Sequence, residues 1–484
     1  DEVFARYRLP GMAVGIVENG RIVHTRTAGE LVAGGGEPVD ARTLFKVASN
    51  TKSMTTATLA RLVDAGKLRW DDPVTKWLPQ FRMHDAWVGR QMQVRDLLIH
   101  NSGLRAGAGD LMLWPEPNNF TRADIIHGLA YLKPQRSFRA GYDYDNLMYI
   151  VAGEVAAAAG GAPYEALVRR EVFEPLGMSR CRVGEWSRSA VGNVAQPHMR
   201  QGERNIPVRE DGDTIRASTM DPAGGVRCSL DDMLRWIQAW LQPRATWLSK
   251  EQREAVWAPQ MPMPLSKRMR EWDNSHFSAY GYGWRLADVD GVFKVSHTGT
   301  LMGMYSVVTM LPDKGVGFVV LINGEGEAAR TVLNQVLVKH YTSGDTTQTV
   351  AHYATLLEQE DALRPAAEKA PDTTSRKRAT VAELASALGR YRDSWFGDVS
   401  VCRDGDAVRW RSDRSPMLDG IVQRVGSRML VDWDDDSVDA EAWLDFRGRT
   451  ASEGADLTMA KVDPQADFSY DYEDLAFQRV GDCP

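Results

Sequence analysis

Residues Ser49-Asn50-Thr51-Lys52 begin a stretch, running to about Leu68, whose apolar spacing predicts a helix. Residues three apart on a helix lie on one face with their Cβ atoms about 5–6 Å apart, so Ser49 and Lys52 would be neighbours. An alcohol is a weak nucleophile near neutral pH, and a lysine that has lost its proton can take the alcohol's proton. The spacing therefore predicts a nucleophile and a base on one helical turn, although about two such matches are expected by chance in a chain of this length.

Composition places the chain among ordinary globular proteins, with 484 residues of which 43% are hydrophobic and 25% charged. This length is enough for two or three domains and a large core. The net charge of −7 leaves no basic footprint, which argues against nucleic acid as a partner. No apolar run has the length needed to span a bilayer. Neither a Gly-rich phosphate loop nor a metal-ligand cluster stands out, so the sequence implies no cofactor.

The four cysteines, Cys181, Cys228, Cys402 and Cys483, are too few and too scattered to predict a disulfide framework, and none pairs at metal-ligand spacing. A single bond such as Cys181–Cys228 is compatible with the sequence, which does not decide it. No signal peptide precedes Asp1, which suggests a trimmed mature form. We therefore expect a periplasmic or secreted protein if a signal peptide was removed, and a cytoplasmic one otherwise.

Strand patterns lie at both ends of the first 345 residues, and helical patterns lie between them. Asn19-Gly20 separates two short apolar runs, which is a strong hairpin signal because both residues tolerate positive φ. Later strands are predicted at Val292–Ser296, Met304–Leu311 and Val316–Ile322, followed by a helix over about 326–342. This order predicts an α/β (α+β) fold, with one antiparallel sheet whose N- and C-terminal strands lie side by side, helices on its faces and an inserted helical lobe.

Two long stretches in this first part, Arg105–Asn119 and Trp247–Phe277, are rich in Gly, Pro, Met or Trp. Loops of this length are often binding loops or lids, and plain surface loops are the equal alternative. Tryptophans in and near them, such as Trp114, Trp257 and Trp284, would either line a hydrophobic substrate cleft or pack in the core or a lid.

The composition changes near Arg364–Thr380, where Ala, Pro, Lys, Thr and Ser dominate and indicate a linker. Beyond Leu384, short alternating runs are separated by turns at Asp404-Gly405 and Arg447-Gly448. This pattern predicts a small antiparallel barrel or sandwich. We therefore divide the chain into an α/β domain at residues 1–345, a helix and linker at 346–379, and a β-barrel domain at 380–484.

Two further motifs, Tyr144-Asp145-Asn146 and His297-Thr298-Gly299, follow the serine–lysine pair along the chain. In this order and at these separations, the chain resembles the penicillin-recognising serine hydrolase superfamily, in particular class C β-lactamases, DD-peptidases, D-aminopeptidases and family VIII esterases. Their motifs are Ser-x-x-Lys, Tyr-x-Asn and Lys/His-Thr/Ser-Gly. The flanking segments that agree are Leu9-Pro10-Gly11-Met12-Ala13-Val14, Gly66-Lys67-Leu68, Asp72-Pro73-Val74, Leu97-Leu98-Ile99-His100-Asn101-Ser102-Gly103-Leu104 and Pro222-Ala223-Gly224-Gly225. The resemblance covers about residues 5–342, and the tail looks like the lipocalin-like C-terminal domain of some members.

The resemblance implies a role for each matched residue. Ser49 would attack a carbonyl and form an acyl-enzyme, with its proton moving in a network that includes Lys52 and Tyr144. The backbone N–H groups of Ser49 and Thr300 would stabilise the oxyanion, and glycine at 299 would suit close backbone approach. His297 would complete the catalytic set, and substrate binding would fall to Asn146, Thr298, Gly299 and Thr300. Asn146 would hold either the proton network or the substrate amide.

His297 stands where β-lactamases and DD-peptidases usually have a lysine aimed at the substrate carboxylate. Because histidine is charged only part of the time near neutral pH, it argues against an efficient β-lactamase and favours a D-aminopeptidase-like or esterase-like member. The resemblance thus implies a peptidase or amidase for small or linear peptides that contain D-residues or are of non-ribosomal or cell-wall origin. A carboxylesterase, a weak β-lactamase and a penicillin-binding sensor without turnover are the alternatives. Homo-oligomerisation and the role of the tail stay open.

Overall fold

The computed structural model describes residues 1–242, 246–345, 347–365, 369–446 and 456–483. Their contacts group the chain into two compact units: unit 1 contains residues 1–78, 93–101 and 148–362, and unit 2 contains residues 79–92, 102–147 and 363–484. The predicted division at residues 345 and 380 stays a prediction. Residues 346 and 366–368 of its linker and the predicted turn at Arg447-Gly448 lie outside the described residues.

The α-helices of the described residues are α1 (Glu2–Arg6), α2 (Thr51–Asp64), α3 (Val74–Trp77), α4 (Ala86–Gln91), α5 (Arg122–Gly128), α6 (Leu147–Gly160), α7 (Tyr164–Val168), α8 (Glu174–Leu176), α9 (Arg188–Val191), α10 (Asp221–Gly224), α11 (Leu230–Leu241), α12 (Lys250–Val256), α13 (Lys267–Glu271), α14 (Glu327–Thr342) and α15 (Val350–Ala362). A π-helical turn spans Arg169–Phe173. Short 3₁₀ turns lie at Ala48–Asn50, Val94–Leu98, Asp110–Met112, Pro312–Lys314 and Tyr472–Asp474. None of these helices is long and apolar enough to cross a membrane.

The strands of unit 1 are β1 (Gly11–Glu18), β2 (Arg21–Gly29), β3 (Phe45–Lys46), β4 (Trp186–Ser187), β5 (His198–Gln201), β6 (Arg204–Pro207), β7 (Thr214–Ile215), β8 (Arg227–Cys228), β9 (Met261–Pro262), β10 (Ser278–Tyr280), β11 (Arg285–Val289), β12 (Val292–Leu301), β13 (Met304–Leu311) and β14 (Val316–Ile322). Eight of them form one sheet in the order β2-β1-β14-β13-β12-β11-β10-β9. The pairs β3–β8, β4–β7 and β5–β6 are separate two-stranded ribbons.

The large sheet confirms the predicted antiparallel fold. β1 and β2 form the hairpin at Asn19-Gly20, both with positive φ, and β1 pairs antiparallel with β14. All residues of β14 are buried, as expected for a central strand covered on both faces. Helix α11 packs on one face, where Leu234 lies against Gly15, and α14 packs on the other, where Val332 belongs to the same cluster as Val320.

Helix α2 begins later than predicted, because a 3₁₀ turn at Ala48–Asn50 precedes it. The helix is buried on nearly every side rather than on a single apolar face. Two of its threonines hydrogen-bond to backbone carbonyls inside the core: Thr55 donates to Pro222 O at 2.7 Å, and Thr58 donates to Met54 O at 2.9 Å. Hydroxyls that bond to nearby carbonyls in this way are compatible with a central, buried helix.

The strands of the C-terminal part are β15 (Lys377–Arg378), β16 (Gly389–Asp393), β17 (Gly397–Asp404), β18 (Ala407–Ser412), β19 (Gly420–Val425), β20 (Arg428–Trp433), β21 (Ala442–Phe446), β22 (Leu457–Lys461) and β23 (Ala476–Gly481). Eight of them, β16 to β23, close into an antiparallel barrel because β19 pairs with both β18 and β20, and β16 pairs with β23. This confirms the predicted small barrel. The finer lipocalin-like interpretation stays a prediction.

All four cysteines are paired, as Cys181–Cys228 and Cys402–Cys483. The first bond is the one that the sequence allowed. The second was missed, because its partners lie 81 residues apart and are brought together only when the C-terminal segment returns to β17.

Candidate active site

Ser49 lies in the 3₁₀ turn immediately before α2. The preceding residue, Ala48, has a left-handed φ of 49°, which costs a non-glycine residue about 1–2 kcal/mol. Two hydrogen bonds hold this turn to β13: Ser306 Oγ donates to Val47 O at 2.7 Å, and Asn50 Nδ2 donates to Ser306 Oγ at 2.8 Å. The fold therefore maintains a strained backbone beside the predicted nucleophile.

Lys52 is fully buried, one helical turn beyond Ser49. Its Nζ donates to Ser49 Oγ at 3.1 Å and to Ala223 O, in α10, at 2.9 Å. The ring of Tyr149 lies 5.3 Å from Nζ. The distance to Ser49 is within hydrogen-bond reach, so a proton can move directly between the hydroxyl and the amine. The structure thus brings together the serine and lysine that the motif predicted.

A cluster of aromatic rings in unit 1, which the sequence did not reveal, lies beside Lys52. The His100 ring lies 5.5 Å from Tyr149 and 4.6 Å from Tyr280 between centroids. The Tyr149 hydroxyl donates to Leu98 O at 2.7 Å, which fixes the ring that faces Lys52. His100 is fully buried among these rings.

His297 is almost completely buried, with 1% of its surface exposed. Its Nδ1 lies 2.7 Å from Thr298 O, and a carbonyl only accepts, so we infer that Nδ1 carries the proton. Nε2 then accepts the hydroxyl of Tyr280, also at 2.7 Å. Burial, followed by the positive charges of Arg285 and Lys52, lowers the pKa of His297 well below its ordinary value. His297 is therefore neutral near neutral pH and cannot replace a permanently charged lysine.

The depressed pKa of His297 predicts a pH-dependent stability. Below about pH 6.5 the unfolded chain binds a proton on this histidine that the folded protein does not bind, so the free energy of unfolding falls as the pH falls. We expect His297→Gln to reduce this slope by up to about 1.4 kcal/mol per pH unit between pH 6.5 and 5.5. His198, whose pKa burial also lowers, leaves a residual slope of the same sign. Urea unfolding at pH 8.0, 6.5 and 5.5 checks this, and parallel profiles for the two proteins would contradict it.

Gly299 lies where β12 crosses the turn that carries Ser49. A Cβ at this position would lie 2.2 Å from Val47 O, 2.4 Å from Ser306 Oγ and 3.1 Å from Ala48 Cβ. Only glycine allows this approach. The next residue along β12 is Thr300, whose predicted role as an oxyanion donor stays a prediction.

β12 has an edge that β11 leaves unpaired at the His297-Thr298-Gly299 motif. β11 pairs with β12 only as far as Ser296, whereas β13 pairs with it up to Leu301. Thr298 is half-buried and Thr300 is exposed at this end of the strand. An extended chain could therefore add to the sheet beside the His297-Thr298-Gly299 motif.

Tyr144 and Asn146 belong to unit 2, and their predicted catalytic and binding roles stay predictions. The Tyr144 carbonyl accepts a hydrogen bond from Gly107 N at 2.9 Å, and its ring meets Phe468 edge-on, with 5.7 Å between centroids. Asn146 Nδ2 donates to the buried Asp110 at 2.7 Å. The backbone and amide of this motif are therefore fixed by residues of its own unit.

The family model for β-lactamases matches residues 1–342. This chain belongs to the β-lactamase family. "Penicillin-binding protein 4" of Amycolatopsis lactamdurans is 26% identical over 67% of this chain and 83% of its own length. "Esterase EstB" of Burkholderia gladioli is 28% identical over 66% of this chain and 87% of its own length. "Unguisins hydrolase ungD'" of Aspergillus campestris is 26% identical over 69% of this chain, but the match spans only 62% of that relative.

A solved structure, the octameric penicillin-binding protein homologue from Pyrococcus abyssi, matches this β-lactamase-family chain with a TM-score of 0.59 at 19% identity. The match covers 92% of this chain and 94% of the other, and it supports the fold alone. No group of His, Cys, Asp and Glu that could hold a metal ion occurs in the part of the chain that the structure describes. Ser49 Oγ and Lys52 Nζ lie at proton-transfer distance, an arrangement that suits nucleophilic attack by the serine.

Proposed function

We propose that this member of the β-lactamase family hydrolyses small or linear peptides and amides through a Ser49 acyl-enzyme. The observation that carries the proposal is the 3.1 Å contact between Lys52 Nζ and Ser49 Oγ, with the lysine fully buried. A water molecule would then release the acyl group. Substrates that contain D-residues, or that are of non-ribosomal or cell-wall origin, fit the resemblance to D-aminopeptidases and DD-peptidases.

Two features of the site support a peptide substrate over a β-lactam. The edge of β12 beyond Ser296 offers a place for an extended chain. The neutral His297 supplies no permanent positive charge for a β-lactam carboxylate. The names of two relatives, a hydrolase and a penicillin-binding protein, agree with this class of chemistry.

A carboxylesterase is the second candidate, and the similarity to a relative named esterase favours it. Esters are easier to cleave than amides, so the same Ser49 site would accept both. A weak β-lactamase and a penicillin-binding sensor remain outcomes of the test below. We also propose, on the resemblance alone, that Tyr144 shares the proton network and that Asn146 binds the substrate amide.

A substrate panel distinguishes these functions. The protein is mixed with a D-amino-acid amide, a D-alanyl-D-alanine peptide, a chromogenic ester and a chromogenic cephalosporin, and both turnover and the intact mass are measured. Our proposal predicts turnover of an amide or peptide with kcat/KM above that for the cephalosporin. Turnover of the ester alone would make the protein an esterase, and one equivalent of stable acylation without turnover would make it a sensor.

The compartment and assembly of the protein are also proposals. The two disulfides favour an oxidising compartment, which agrees with a periplasmic or secreted protein. The solved relative is described as octameric, so we propose a homo-oligomer, which light scattering on the purified protein would test. A monomer at micromolar concentration would contradict this part of the proposal.

A further inference from the structure

Arg330, on α14, is a buried cation that none of the sequence motifs contains. Its side chain is 6% exposed, and it enters no ion pair with any residue that the structure describes. Its Nε has no hydrogen-bond partner, and its guanidinium lies 5.3 Å from the ring of Tyr305. Burying a charge without a direct ion-pair partner is costly, so a protein that retains one needs a reason for it.

The hydrogen bonds of this guanidinium all go to the predicted oxyanion segment. Nη1 donates to Gly299 O at 2.7 Å and to Thr300 Oγ1 at 2.8 Å. Gly299 C=O and Thr300 N–H belong to the same peptide group, and that group is trans. The two ends of a planar trans peptide point in opposite directions, so fixing the carbonyl oxygen also fixes the direction of the N–H.

We propose that Arg330 is the positioning residue of the oxyanion site: it orients and polarises the Gly299–Thr300 peptide so that Thr300 N–H is a stronger donor. A cation that binds the carbonyl oxygen draws electron density from the amide, and linked hydrogen bonds strengthen one another in this way. This inference rests on the proposed function, in which Thr300 N–H stabilises the oxyanion.

The other charged side chains that line the space beside Arg330 are paired with residues other than Arg330. A cavity of about 180 Å³ beside it is lined by polar and apolar side chains, including Thr298, Asn334 and Gln335. The carboxylate in this lining, Asp273, is already bound by Lys294 at 2.8 Å and by Gln335 at 2.6 Å. Arg268, the second cation of the lining, is bound to Glu360. Glu327, one turn earlier on α14, is the acidic group whose charge acts on Arg330, but the two form no ion pair within 4 Å among the described residues. Gly299 O is therefore the acceptor in direct contact with this charge.

The test uses the full-length variants Arg330→Met and Arg330→Lys, with Arg253→Met as the matched control. Arg253, on α12, is likewise buried, and it donates to the backbone carbonyls of Leu248 and Ala239. For each protein, kcat and KM are measured on the best panel substrate. Titration with a fluorophosphonate gives the concentration of reactive Ser49, and kcat is calculated per titrated site. The inhibition constant of a boronic acid is measured as well.

We expect Arg330→Met to lower kcat by about 10–100-fold with KM changed less than about three-fold, since losing an oxyanion donor outright costs about 10²–10³. The affinity for the boronic acid should fall in parallel with kcat. Arg330→Lys keeps the charge and should recover most of that loss, whereas Arg253→Met should retain kcat per titrated site.

A kcat per titrated site unchanged in Arg330→Met, or an effect confined to KM, would overturn the proposal and make Arg330 a structural or a substrate-binding residue. If the methionine variant does not fold, a lysine variant with wild-type kcat and boronate affinity at neutral pH supports the proposal, and one with the full loss contradicts it. Failure of the fluorophosphonate to label wild-type Ser49 is a different result, because it removes the proposed function itself.

Discussion

Replacing Ser49 by alanine is expected to lower kcat/KM on the best panel substrate by at least about 10⁴-fold, as for other nucleophilic serines. Alanine has no oxygen to form the acyl bond, and Lys52 then has no hydroxyl proton to take. The fold should persist, since Lys52 Nζ keeps its 2.9 Å hydrogen bond to Ala223 O. Only the residual effects of binding and of the oxyanion site would remain.

The control for this experiment is Thr58→Ala, which removes a hydroxyl from α2, the helix that follows the Ser49 turn. Thr58 Oγ1 donates to Met54 O, two turns beyond Ser49, so its loss should cost stability but leave kcat/KM within about three-fold. Fluorophosphonate labelling followed by intact-mass measurement reports directly on Ser49. Activity or labelling that survives in Ser49→Ala would show that another residue is the nucleophile.

The sequence predicted the pairing of Ser49 with Lys52 because a contact three residues apart is local. It did not predict the backbone that aims Ser49, since nothing in the identity of Ala48 indicates a left-handed φ. The bonds that hold this turn join Asn50 to Ser306 across 256 residues. Arg330 was likewise missed, because its contact with Gly299 depends on how α14 packs against the sheet.

The two stretches interpreted as surface loops or lids illustrate the same limit. In Arg105–Asn119, Leu111 to Leu113 are fully buried, and Gly109 N donates to Asp471, 362 residues away in the C-terminal part of unit 2. Arg105 binds the neighbouring carboxylates of Glu473 and Asp474. Contacts at such separations leave no periodic signal, so a buried, anchored loop has the composition of an exposed one.

Among the tryptophans, core packing was the correct alternative for Trp257 and Trp284. Trp284 is fully buried and Trp257 stacks on Trp240, with 5.2 Å between ring centroids. Trp240 in turn meets Trp247 and Trp284 edge-on, so these rings form one cluster within unit 1. The composition indicated that these aromatic side chains would be buried. Only the fold shows that other parts of the protein, rather than a substrate, bury them.

Gly299→Ala is the second substitution for which we expect a large effect, of about 10²–10³-fold in kcat/KM. The added methyl would lie within 2.2 Å of Val47 O and 2.4 Å of Ser306 Oγ. Neither can yield easily, because Val47 O is backbone and Ser306 is bound to both Val47 and Asn50. The strand must therefore move away from the Ser49 turn, taking the predicted Thr300 donor with it.

The loss in Gly299→Ala should appear mainly in kcat and in the affinity for a boronic acid, while overpacking destabilises the fold by about 1–3 kcal/mol. The matched control is Gly212→Ala, because a methyl group there meets no atom within 4 Å and its backbone is not left-handed. Kinetics and thermal unfolding of both variants check the prediction. A Gly299→Ala enzyme with kcat/KM within about three-fold of wild type would mean that the approach of β12 to the Ser49 turn does not set the catalytic geometry.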